Sequence, residues 1–469
     1  MALIQKLAAV VGQQNVFSAP EARYAYSYDA TFRRRQPDVV VRPANMEEVA
    51  GVLRLAWETQ TPVVPRGAGT GLSGGSVPVQ GGIVLDLTRM NRILEINTAD
   101  LLAVVEPGVV TDDFARAVAE KGFFFPPDPS SSKSSTIGGN LAENAGGSRA
   151  FKYGVIRDYT LGLEVVLADG RVIRTGGRTI KNVSGYDLTR LFVGSEGTLG
   201  VITQAILRFI PPPEATRTLL TFFPRLDDAA RTVSAIIARG ITPAALEFMD
   251  DQSIRVVEEY LHLGLPLDVE ALLLVEVDGP AAVLAQQIAE IAALCREMGS
   301  REVQVASTAK EAENLWRARK AISPAVARIK PTKISEDATV PRSRIPEMVR
   351  HLKEIAAKYD LQIVIFGHAG DGNLHPNIMC DEQDVGEMRR VEQAVAEIFQ
   401  AALELGGTLS GEHGIGFLKA PFMPWEHGEN GLWAMRSIKQ ALDPRGILNP
   451  GKIFPPTQQV NNKVPGTDY

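Results

Sequence analysis

The feature that most limits the fold is a glycine-rich run, 65-PRGAGTGLSGGS-76, which follows apolar residues typical of a strand. Gly69, Gly71 and Gly74 have the spacing of the dinucleotide fingerprint G-x-G-x-x-G. A Rossmann unit needs a crossover helix directly after these glycines. Here the next residues, SVPVQGG, contain a proline and two glycines and lead at once into the apolar run 83–87. The sequence therefore excludes a Rossmann unit at this loop.

A glycine loop without a following helix has two interpretations. Consecutive backbone N–H groups that no Cβ atom hinders form a nest for an anionic group, whereas a plain glycine-rich hairpin needs no ligand. A second segment, 136-TIGGNLAENAGGSRAFKYG-154, combines small residues, amides and a tyrosine. Two such loops in one α/β domain favour a large phosphorylated ligand, such as a dinucleotide, held outside the Rossmann plan.

The surrounding pattern predicts alternating strands and helices. Residues 38–69 read as strand, helix and strand, with Asn45 as the helix N-cap and Glu48 three residues later. Residues 123–154 lack periodicity and predict a long irregular segment of the kind that is usually functional. Three prolines at 211–213 mark a domain boundary. Further predicted elements are strands at 83–87, 102–108, 163–175 (a hairpin), 199–213, 271–277 and 361–367, and helices at 111–122 and 281–299.

Composition limits the class of protein. The 469 residues suffice for two or three domains, and a net charge of -6 gives no electrostatic reason to expect nucleic acid binding. Two cysteines cannot form a disulfide framework or a cysteine metal cluster, which favours a reducing compartment. The first residues lack the pattern of a signal peptide, and no apolar run approaches about 18 residues. We therefore expect a cytoplasmic protein without a transmembrane segment, or one held at the inner membrane peripherally through a partner.

Histidines cluster in two segments, 365-IFGHAGDGNLHPNI-378 and 410-SGEHGIGFLK-419. If the strand at 361–367 ends at the site, then His368, His375 and Glu412 can converge as two imidazoles and a carboxylate. Such a set suits Zn²⁺, Fe²⁺ or Mn²⁺ and leaves positions open for a substrate. The alternative is a tight glycine turn whose histidines are structural.

Four segments resemble the FAD-binding domain of the vanillyl-alcohol oxidase type: the glycine loop PRGAGTGLSGG, the stretch PPDPSSSKSSTIGGNLAENAGG, the tripeptide KYG and 194-GSEGTLGVIT-203. The resemblance is to the FAD-linked D-2-hydroxyacid dehydrogenase and oxidase family, which includes the glycolate oxidase flavin subunit, D-lactate dehydrogenase (cytochrome) and D-2-hydroxyglutarate dehydrogenase. It implies an α+β fold with a two-part, PCMH-type FAD-binding domain over 1–213. It also implies an α/β cap (substrate) domain over 214–405, and a C-terminal segment, 406–469, that returns to the active site.

The resemblance also implies the residues that bind FAD. The glycine loops contain neither His nor Cys for a covalent link, so FAD is expected to be non-covalent. The implied FAD-binding residues are Arg66, Gly67, Ala68, Gly69, Thr70, Gly71, Leu72, Ser73, Gly74 and Gly75 around the pyrophosphate; Pro127, Asp128, Thr136, Gly138, Gly139, Asn140, Ala145, Gly146, Gly147 and Tyr153 along the flavin; Glu196, Gly200, Val201 and Ile202 on the adenine side; and Asn449, which closes over the cofactor.

In the metal-containing members the two histidine motifs supply the ligands, and the matching residues here are His368, His375 and Glu412. Arg319, Lys333 and Asn377 match family positions that hold the substrate, and Ser323, one helical turn from Arg319, can add a hydrogen bond. His413 is the expected base, since a neutral imidazole suits removal of the hydroxyl proton while the Cα hydride passes to flavin N5. The alternative for His413 is to orient Glu412.

The implied activity is oxidation of a small D-2-hydroxy acid, D-lactate or glycolate, to the 2-oxo acid. Three alternatives remain at this point: a D-2-hydroxyglutarate dehydrogenase, a flavin enzyme for a different alcohol with structural histidines, and a non-catalytic FAD-binding subunit of a glycolate oxidase complex. Electrons must leave to an acceptor, namely a quinone, a cytochrome, an electron-transfer flavoprotein or an iron–sulfur subunit. The sequence leaves open a homodimer or a hetero-complex.

Overall fold

Three β-sheets organise the residues that the computed structural model describes, 2–31 and 33–456. The strands are β1 (Val16–Phe17), β2 (Val39–Val41), β3 (Val63–Arg66), β4 (Ile83–Asp86), β5 (Ile93–Asn97), β6 (Leu102–Val105), β7 (Thr160–Val166), β8 (Val172–Gly176), β9 (Val201–Arg208), β10 (Ala215–Phe223), β11 (Ala245–Asp250), β12 (Ala271–Gly279), β13 (Glu302–Val305), β14 (Thr332–Ser335), β15 (Ala338–Thr339), β16 (Gln362–His368) and β17 (Asn373–Cys380).

The α-helices are α1 (Ala2–Val11), α2 (Pro20–Ala25), α3 (Met46–Thr59), α4 (Thr111–Ala119), α5 (Ile137–Glu143), α6 (Ala150–Tyr153), α7 (Ile156–Tyr159), α8 (Leu188–Phe192), α9 (Leu226–Ala238), α10 (Asp251–Leu261), α11 (Ala281–Glu297), α12 (Ala309–Val326), α13 (Ile345–Lys358), α14 (Val385–Glu404) and α15 (Met423–Leu442). Within the described ranges, no helix is both long enough and apolar enough to cross a bilayer.

The first of two units comprises the described parts of 2–146, 155–212 and 412–456. Its smaller sheet has the strand order β1-β2-β4-β3, and β4 pairs in parallel with both β2 and β3. The chain connects β3 to β4 without a helix, which confirms that no Rossmann crossover follows the glycine loop. Residues 447–449 return to the edge of this sheet, where the Val63 N–H donates to the Ile447 carbonyl and the Asn449 N–H donates to the Val63 carbonyl, both at 2.8 Å.

Helix α3 begins where the sequence predicts. The Asn45 side chain accepts a hydrogen bond from the Glu48 N–H at 2.9 Å, and the Glu48 carboxylate accepts one from the Ala44 N–H at 2.8 Å. These contacts satisfy backbone donors that a helix start leaves without partners. The apolar face of α3 then packs into the core through Val49, Val52, Leu53 and Ala56.

The second sheet of this unit is antiparallel, with the order β5-β6-β9-β7-β8. The predicted Ala-Asp-Gly turn joins β7 to β8. One prediction is corrected here, because residues 123–154 are not irregular throughout. Thr136 caps α5 by accepting from the Gly139 N–H at 3.4 Å, and Ile137 and Leu141 enter the core. Two glycines in the first turn lower helix propensity, and they hid this helix from a periodicity argument.

The second unit comprises 147–154 and 213–411 of the described chain. Its antiparallel sheet has the order β13-β10-β12-β11-β16-β17-β14, and β15 also pairs with β17. Both faces are buried: Leu219 and Phe223 enter one apolar core, and Leu220 and Phe222 enter the other. Residues from α9, α11, α13 and α14 cover the first face, and residues from α10 and α12 cover the second. The domain bounds inferred from the sequence stay a prediction.

Replacing the N-cap residue of α3 tests whether the Asn45 side chain stabilises the start of this helix. Asn45→Ala should lower the free energy of unfolding by about 1 kcal/mol, because the Glu48 N–H loses its acceptor. Asn45→Asp, which keeps an acceptor oxygen, should stay close to the wild type. Urea unfolding followed by circular dichroism measures both, and equal losses in the two variants would contradict the capping account.

Candidate active site

The glycine loop of the first unit is shaped by close contacts that side chains would block. Gly69 and Gly74 have left-handed φ values of 71° and 79°. A Cβ atom on Gly74 would lie 2.3 Å from Cε1 of Phe417. A Cβ atom on Gly69 would lie 2.1 Å from a terminal nitrogen of Arg66. Glycine at these positions is therefore required both by conformation and by space.

The two glycine-rich segments meet within this unit. A Cβ atom on Gly67 would lie 2.2 Å from Thr136 Oγ1, and one on Gly75 would lie 2.8 Å from Glu143 Oε1. The rest of the second segment, Gly138, Gly139, Asn140, Ala145 and Gly146, follows Thr136 through α5 and its C-terminal turn. The structure thus brings together the backbone that the sequence assigns to one ligand.

Side chains from the C-terminal segment hold the glycine loop in place. The Asn449 amide donates to the Gly75 carbonyl at 2.8 Å and to the Glu196 carbonyl at 2.7 Å. The buried Lys452 ammonium donates to the carbonyls of Val77 and Gly75, and burial lowers its pKa from 10.5 to about 8. The loop and the C-terminal segment are therefore one hydrogen-bonded assembly.

The Glu196 carboxylate holds another backbone segment. It accepts hydrogen bonds from the N–H groups of Ile415 and Gly416, each at 2.7 Å. Ile415 and Gly416 are two and three residues after His413, so Glu196 restrains the segment that carries Glu412 and His413. The adenine-side contact expected of Glu196, Gly200, Val201 and Ile202 stays a prediction, as do the flavin contacts of Pro127 and Asp128.

The polar groups around the loop fit a phosphorylated dinucleotide such as FAD. Ser73 Oγ and Asn449 Oδ1 are buried and have no hydrogen-bond partner within the described residues. Arg66 is a buried cation whose guanidinium donates to Ser76 at 3.3 Å and lies 5.5 Å from the centre of the Tyr26 ring. Buried polar atoms without partners are rare in proteins, and a hydroxyl, an arginine and glycine N–H groups suit a pyrophosphate.

Sequence reasoning missed Glu143, which lies on α5 between the predicted cofactor residues. Its Oε2 atom is enclosed and accepts no hydrogen bond within the described residues. Burial, reinforced by the nearby Glu196 carboxylate, raises the pKa of Glu143 well above 4.5. The glutamate in LAENAGG is the one carboxylate in an otherwise small and polar stretch, and that contrast is a signal the sequence does contain.

In the second unit, strand register places the predicted site residues on one face of the sheet. Glu247 of β11 is opposite His368 of β16, and His375 of β17 is opposite Phe366. Asn377 is two residues beyond His375, so it shares the same face. Phe366 and Met379 of this face pack with residues of α12, the helix that carries Arg319 and Ser323.

Glu247 is the central carboxylate of this face, and sequence reasoning missed it. Its Oε1 lies 2.6 Å from His368 Nδ1, and its Oε2 accepts from Arg319 Nε at 2.5 Å. Burial alone would raise the pKa of Glu247, but the charges of Arg319 and His368 and their hydrogen bonds lower it below 4.5. A charged residue inside the apolar strand 245-ALEFMD-250 is the signal that could have identified it.

His375 has its own carboxylate neighbour. Asp337 Oδ1 lies 3.2 Å from His375 Nδ1, and Ser410 donates to the other Asp337 oxygen at 2.9 Å. The rings of His368 and His375 are 5.2 Å apart and nearly perpendicular. Metal-ligating histidines usually have a carboxylate at the ring nitrogen that does not bind the metal. The two carboxylate–histidine pairs therefore fit a divalent cation such as Zn²⁺, Fe²⁺ or Mn²⁺.

Polar groups suited to an organic acid surround these histidines. The Lys333 ammonium donates to Ser323 Oγ at 3.4 Å, and burial lowers the pKa of Lys333. Asn377 is buried, donates to the His375 carbonyl at 2.8 Å, and has a side-chain oxygen with no hydrogen-bond partner among the described residues. The second unit thus brings together Arg319, Ser323, Lys333, His368, His375 and Asn377.

Four further predicted residues are divided between the two units. Glu412 and His413 belong to the first unit, where a Cβ atom on Gly146 would lie 3.0 Å from Glu412 Oε2. Tyr153 belongs with Gly147 to the second unit, and its hydroxyl donates to Asp278 at 2.7 Å. The third metal ligand, the base and the flavin contacts of Gly147 and Tyr153 stay predictions.

Comparison with known proteins finds a family model that matches each part of the chain. A family model described as FAD linked oxidases, C-terminal domain, matches residues 212–453, and one described as FAD binding domain matches 37–176. The chain is 52% identical to the glycolate oxidase subunit GlcD of Bacillus subtilis over 451 residues, 96% of each protein. It is 36% identical to a D-lactate dehydrogenase of Anaerostipes hadrus over 453 residues, 94% of this chain and 95% of that one.

A solved structure shows the same architecture. That of p-cresol methylhydroxylase with substrate bound aligns with a TM-score of 0.82 at 18% identity, over 96% of each chain. At this identity the likeness concerns the fold alone. It confirms the predicted α+β fold of the PCMH and vanillyl-alcohol oxidase type.

Glu143 provides a pH-dependent test of the first unit. A carboxyl whose pKa is raised on folding contributes stability below its unfolded pKa, and this is lost as the pH rises through the folded pKa. Glu143→Gln should therefore unfold at a higher urea concentration than the wild type near pH 8, with a smaller advantage near pH 5. Glu58→Gln, at an exposed position of α3, is the control. An advantage independent of pH would contradict the burial of the charge.

Proposed function

Because the chain belongs to the FAD-linked oxidase family, we propose that it oxidises a small D-2-hydroxy acid, D-lactate or glycolate, to the 2-oxo acid. The observation that carries the proposal is the cluster of Arg319 and Lys333 with two buried histidines in the second unit. Cations suit a carboxylate, and imidazoles suit proton or metal chemistry. The names of the relatives from Bacillus subtilis and Anaerostipes hadrus support this substrate class.

Arg319 and Lys333 are proposed to hold the substrate carboxylate. The hydrogen bond from Arg319 to Glu247 uses Nε, so the two terminal nitrogens remain for a bidentate contact. The guanidinium lies 5.0 Å from the centre of the Phe366 ring, which restricts its orientation. Lys333 adds a point charge, and Ser323 and Asn377 offer hydrogen bonds to the remaining oxygens.

His368 and His375 are proposed to bind a divalent cation, with Glu412 as the third ligand that the sequence pattern implies. A cation bound there would polarise the substrate hydroxyl and lower its pKa. The support is the pair of carboxylate–histidine contacts in the second unit, which is the arrangement that fixes a histidine tautomer for metal binding.

His413 is proposed to accept the hydroxyl proton as the Cα–H bond breaks. Bound FAD supplies the hydride acceptor. The hydrogen bonds from Ile415 and Gly416 to Glu196 restrain the segment just after His413, and a positioned base needs such restraint. His413 could serve instead to orient Glu412, and the variant described below distinguishes these roles.

We also propose that the chain works in a hetero-complex and passes electrons to a partner subunit. The name of the Bacillus subtilis relative, a glycolate oxidase subunit, supports this. The sequence has two cysteines, too few for an iron–sulfur cluster of its own, so such a relay would require a partner. The acceptor and the cytoplasmic location stay predictions.

Anaerobic reduction of the bound flavin tests the activity directly. D-Lactate or glycolate should bleach the flavin absorbance faster than L-lactate, D-malate and D-2-hydroxyglutarate, because the proposed site holds one carboxylate with Arg319 and Lys333. Fastest reduction by D-2-hydroxyglutarate would favour that alternative dehydrogenase. Reduction by L-lactate alone, or by no acid of the panel, would exclude the proposal.

The variant His413→Asn separates chemistry from binding in the same assay. It should keep its flavin and reduce it about 10²- to 10⁴-fold more slowly at saturating substrate. His427→Asn, at an exposed position of α15, is the matched control in the same unit. If His413 only orients Glu412, the loss in His413→Asn should be reversed by excess metal.

Replacing a proposed metal ligand tests whether the site binds a cation that turnover requires. His375→Ala should lose bound Zn²⁺, Fe²⁺ or Mn²⁺ in elemental analysis and lose most turnover, while the absorbance of bound flavin is retained. Chelation of the wild type should have the same effect, reversed by adding the cation. Unchanged turnover after both treatments would rule out the metal and leave the histidines a structural role.

A further inference from the structure

Glu247 contacts both a proposed metal ligand and the proposed substrate arginine, each through a separate oxygen atom. Oε1 lies 2.6 Å from His368 Nδ1, and Oε2 lies 2.5 Å from Arg319 Nε. The carboxylate is completely buried, in a strand whose six residues are all buried. Neither contact follows from the motifs in the sequence, since Glu247 is 121 residues from His368 and 72 from Arg319.

A buried ion pair at this position is weak evidence for a role in stability. Desolvating an ion pair costs free energy, and apolar residues of similar volume usually stabilise a core as well or better. On its own face of the sheet Glu247 lies opposite Leu274 and His368, and Leu274 and Met249 of this face belong to an apolar core. Most of the neighbouring face is therefore apolar, and the carboxylate is directed at His368 and Arg319.

We propose that Glu247 is a positioning residue that orients both the metal ligand His368 and the substrate-binding Arg319. The inference deepens the proposed function and depends on it. One carboxylate then fixes the distance between the place where the cation binds and the place where the substrate carboxylate binds. That distance must match a 2-hydroxy acid, in which the hydroxyl and the carboxylate are on adjacent carbons.

Glu247 selects the tautomer of His368. A neutral His368 donates its Nδ1 proton to Oε1, which leaves the Nε2 lone pair for a cation. The perpendicular His375 ring, 5.2 Å away, has Asp337 Oδ1 at 3.2 Å from its Nδ1 atom. The two histidines thus have separate carboxylate neighbours, and Glu247 also contacts the arginine.

Glu247 also fixes the plane of the Arg319 guanidinium. The Nε–H group is committed to Oε2, and the guanidinium lies 5.0 Å from the centre of the Phe366 ring. With both restraints the terminal nitrogens keep one orientation, which reduces the entropy lost when a carboxylate binds. Loss of Glu247 should therefore weaken substrate binding even at a saturating concentration of metal.

Glu247→Gln is the main test, because the amide keeps the shape and removes the charge. In flavin-loaded protein, its affinity for Zn²⁺ and for Mn²⁺, measured by competition with a chelator without substrate, should fall about 10- to 100-fold. With metal saturating, KM for the better of D-lactate and glycolate should rise about tenfold, as expected for loss of one charge-assisted contact. Glu247→Asp, which restores the charge, should recover part of both losses.

Two comparison variants separate positioning from general damage. Asp250→Asn replaces another buried carboxylate of β11 and keeps an acceptor for the Ser253 N–H at the start of α10. It should change neither metal affinity nor KM. Asp337→Asn should weaken metal binding through His375 and leave KM at saturating metal close to the wild type, because Asp337 contacts His375 and Ser410.

The outcomes are distinct. If Glu247→Gln binds metal and substrate as the wild type does, or loses both no more than Asp250→Asn, Glu247 has no positioning role. If metal is lost in His375→Ala but not in Glu247→Gln, the inference fails while the proposed function stands. If the wild type binds neither cation, the metal part of both proposals fails, and KM alone decides the role of Glu247 toward Arg319. If Glu247→Gln does not fold, Glu247→Asp with Asp337→Asn decides by the same two measurements.

Discussion

The register between β11, β16 and β17 is the constraint on which the candidate site of the second unit depends. It sets Glu247 opposite His368 and places His375 diagonally across from His368 on the same face. A shift of one residue along any of these strands would move those side chains to the other face. Because both faces of the sheet are buried in apolar cores, such a shift would also bury charges without partners.

The candidate site of the first unit is formed mainly by backbone groups, whereas that of the second unit is formed by side chains. A Cβ atom on Gly67, Gly69, Gly74 or Gly75 would lie within 2.8 Å of a neighbouring side-chain atom, and Gly69 and Gly74 also have left-handed φ values. Asn449 and Lys452 then hold the loop by its carbonyl groups, which leaves N–H groups as the natural partners of an anionic ligand. A loop built in this way suits an anionic ligand through the geometry of its backbone.

Much of the organisation was predictable because it is local. The cap of α3 by Asn45 and the direct passage from β3 to β4 both followed from residues close in sequence. The helix α5 was not predicted, since its glycines weaken the local signal and its stability comes from Ile137 and Leu141 in the core. Glu143 and Glu247 were missed for a related reason: a single carboxylate has no pattern of its own.

The sequence by itself determined the kinds of groups available: two glycine-rich loops, two histidine motifs, an arginine and a lysine near them, and a chain without a Rossmann crossover. It also determined the family, because several motifs in a set order are specific together. Only the tertiary structure decided that Glu247 holds both His368 and Arg319, and that Glu196 restrains the backbone after His413. Contacts between residues so far apart in the chain depend on strand pairing and loop closure, which arise from packing of the whole unit and leave no local pattern.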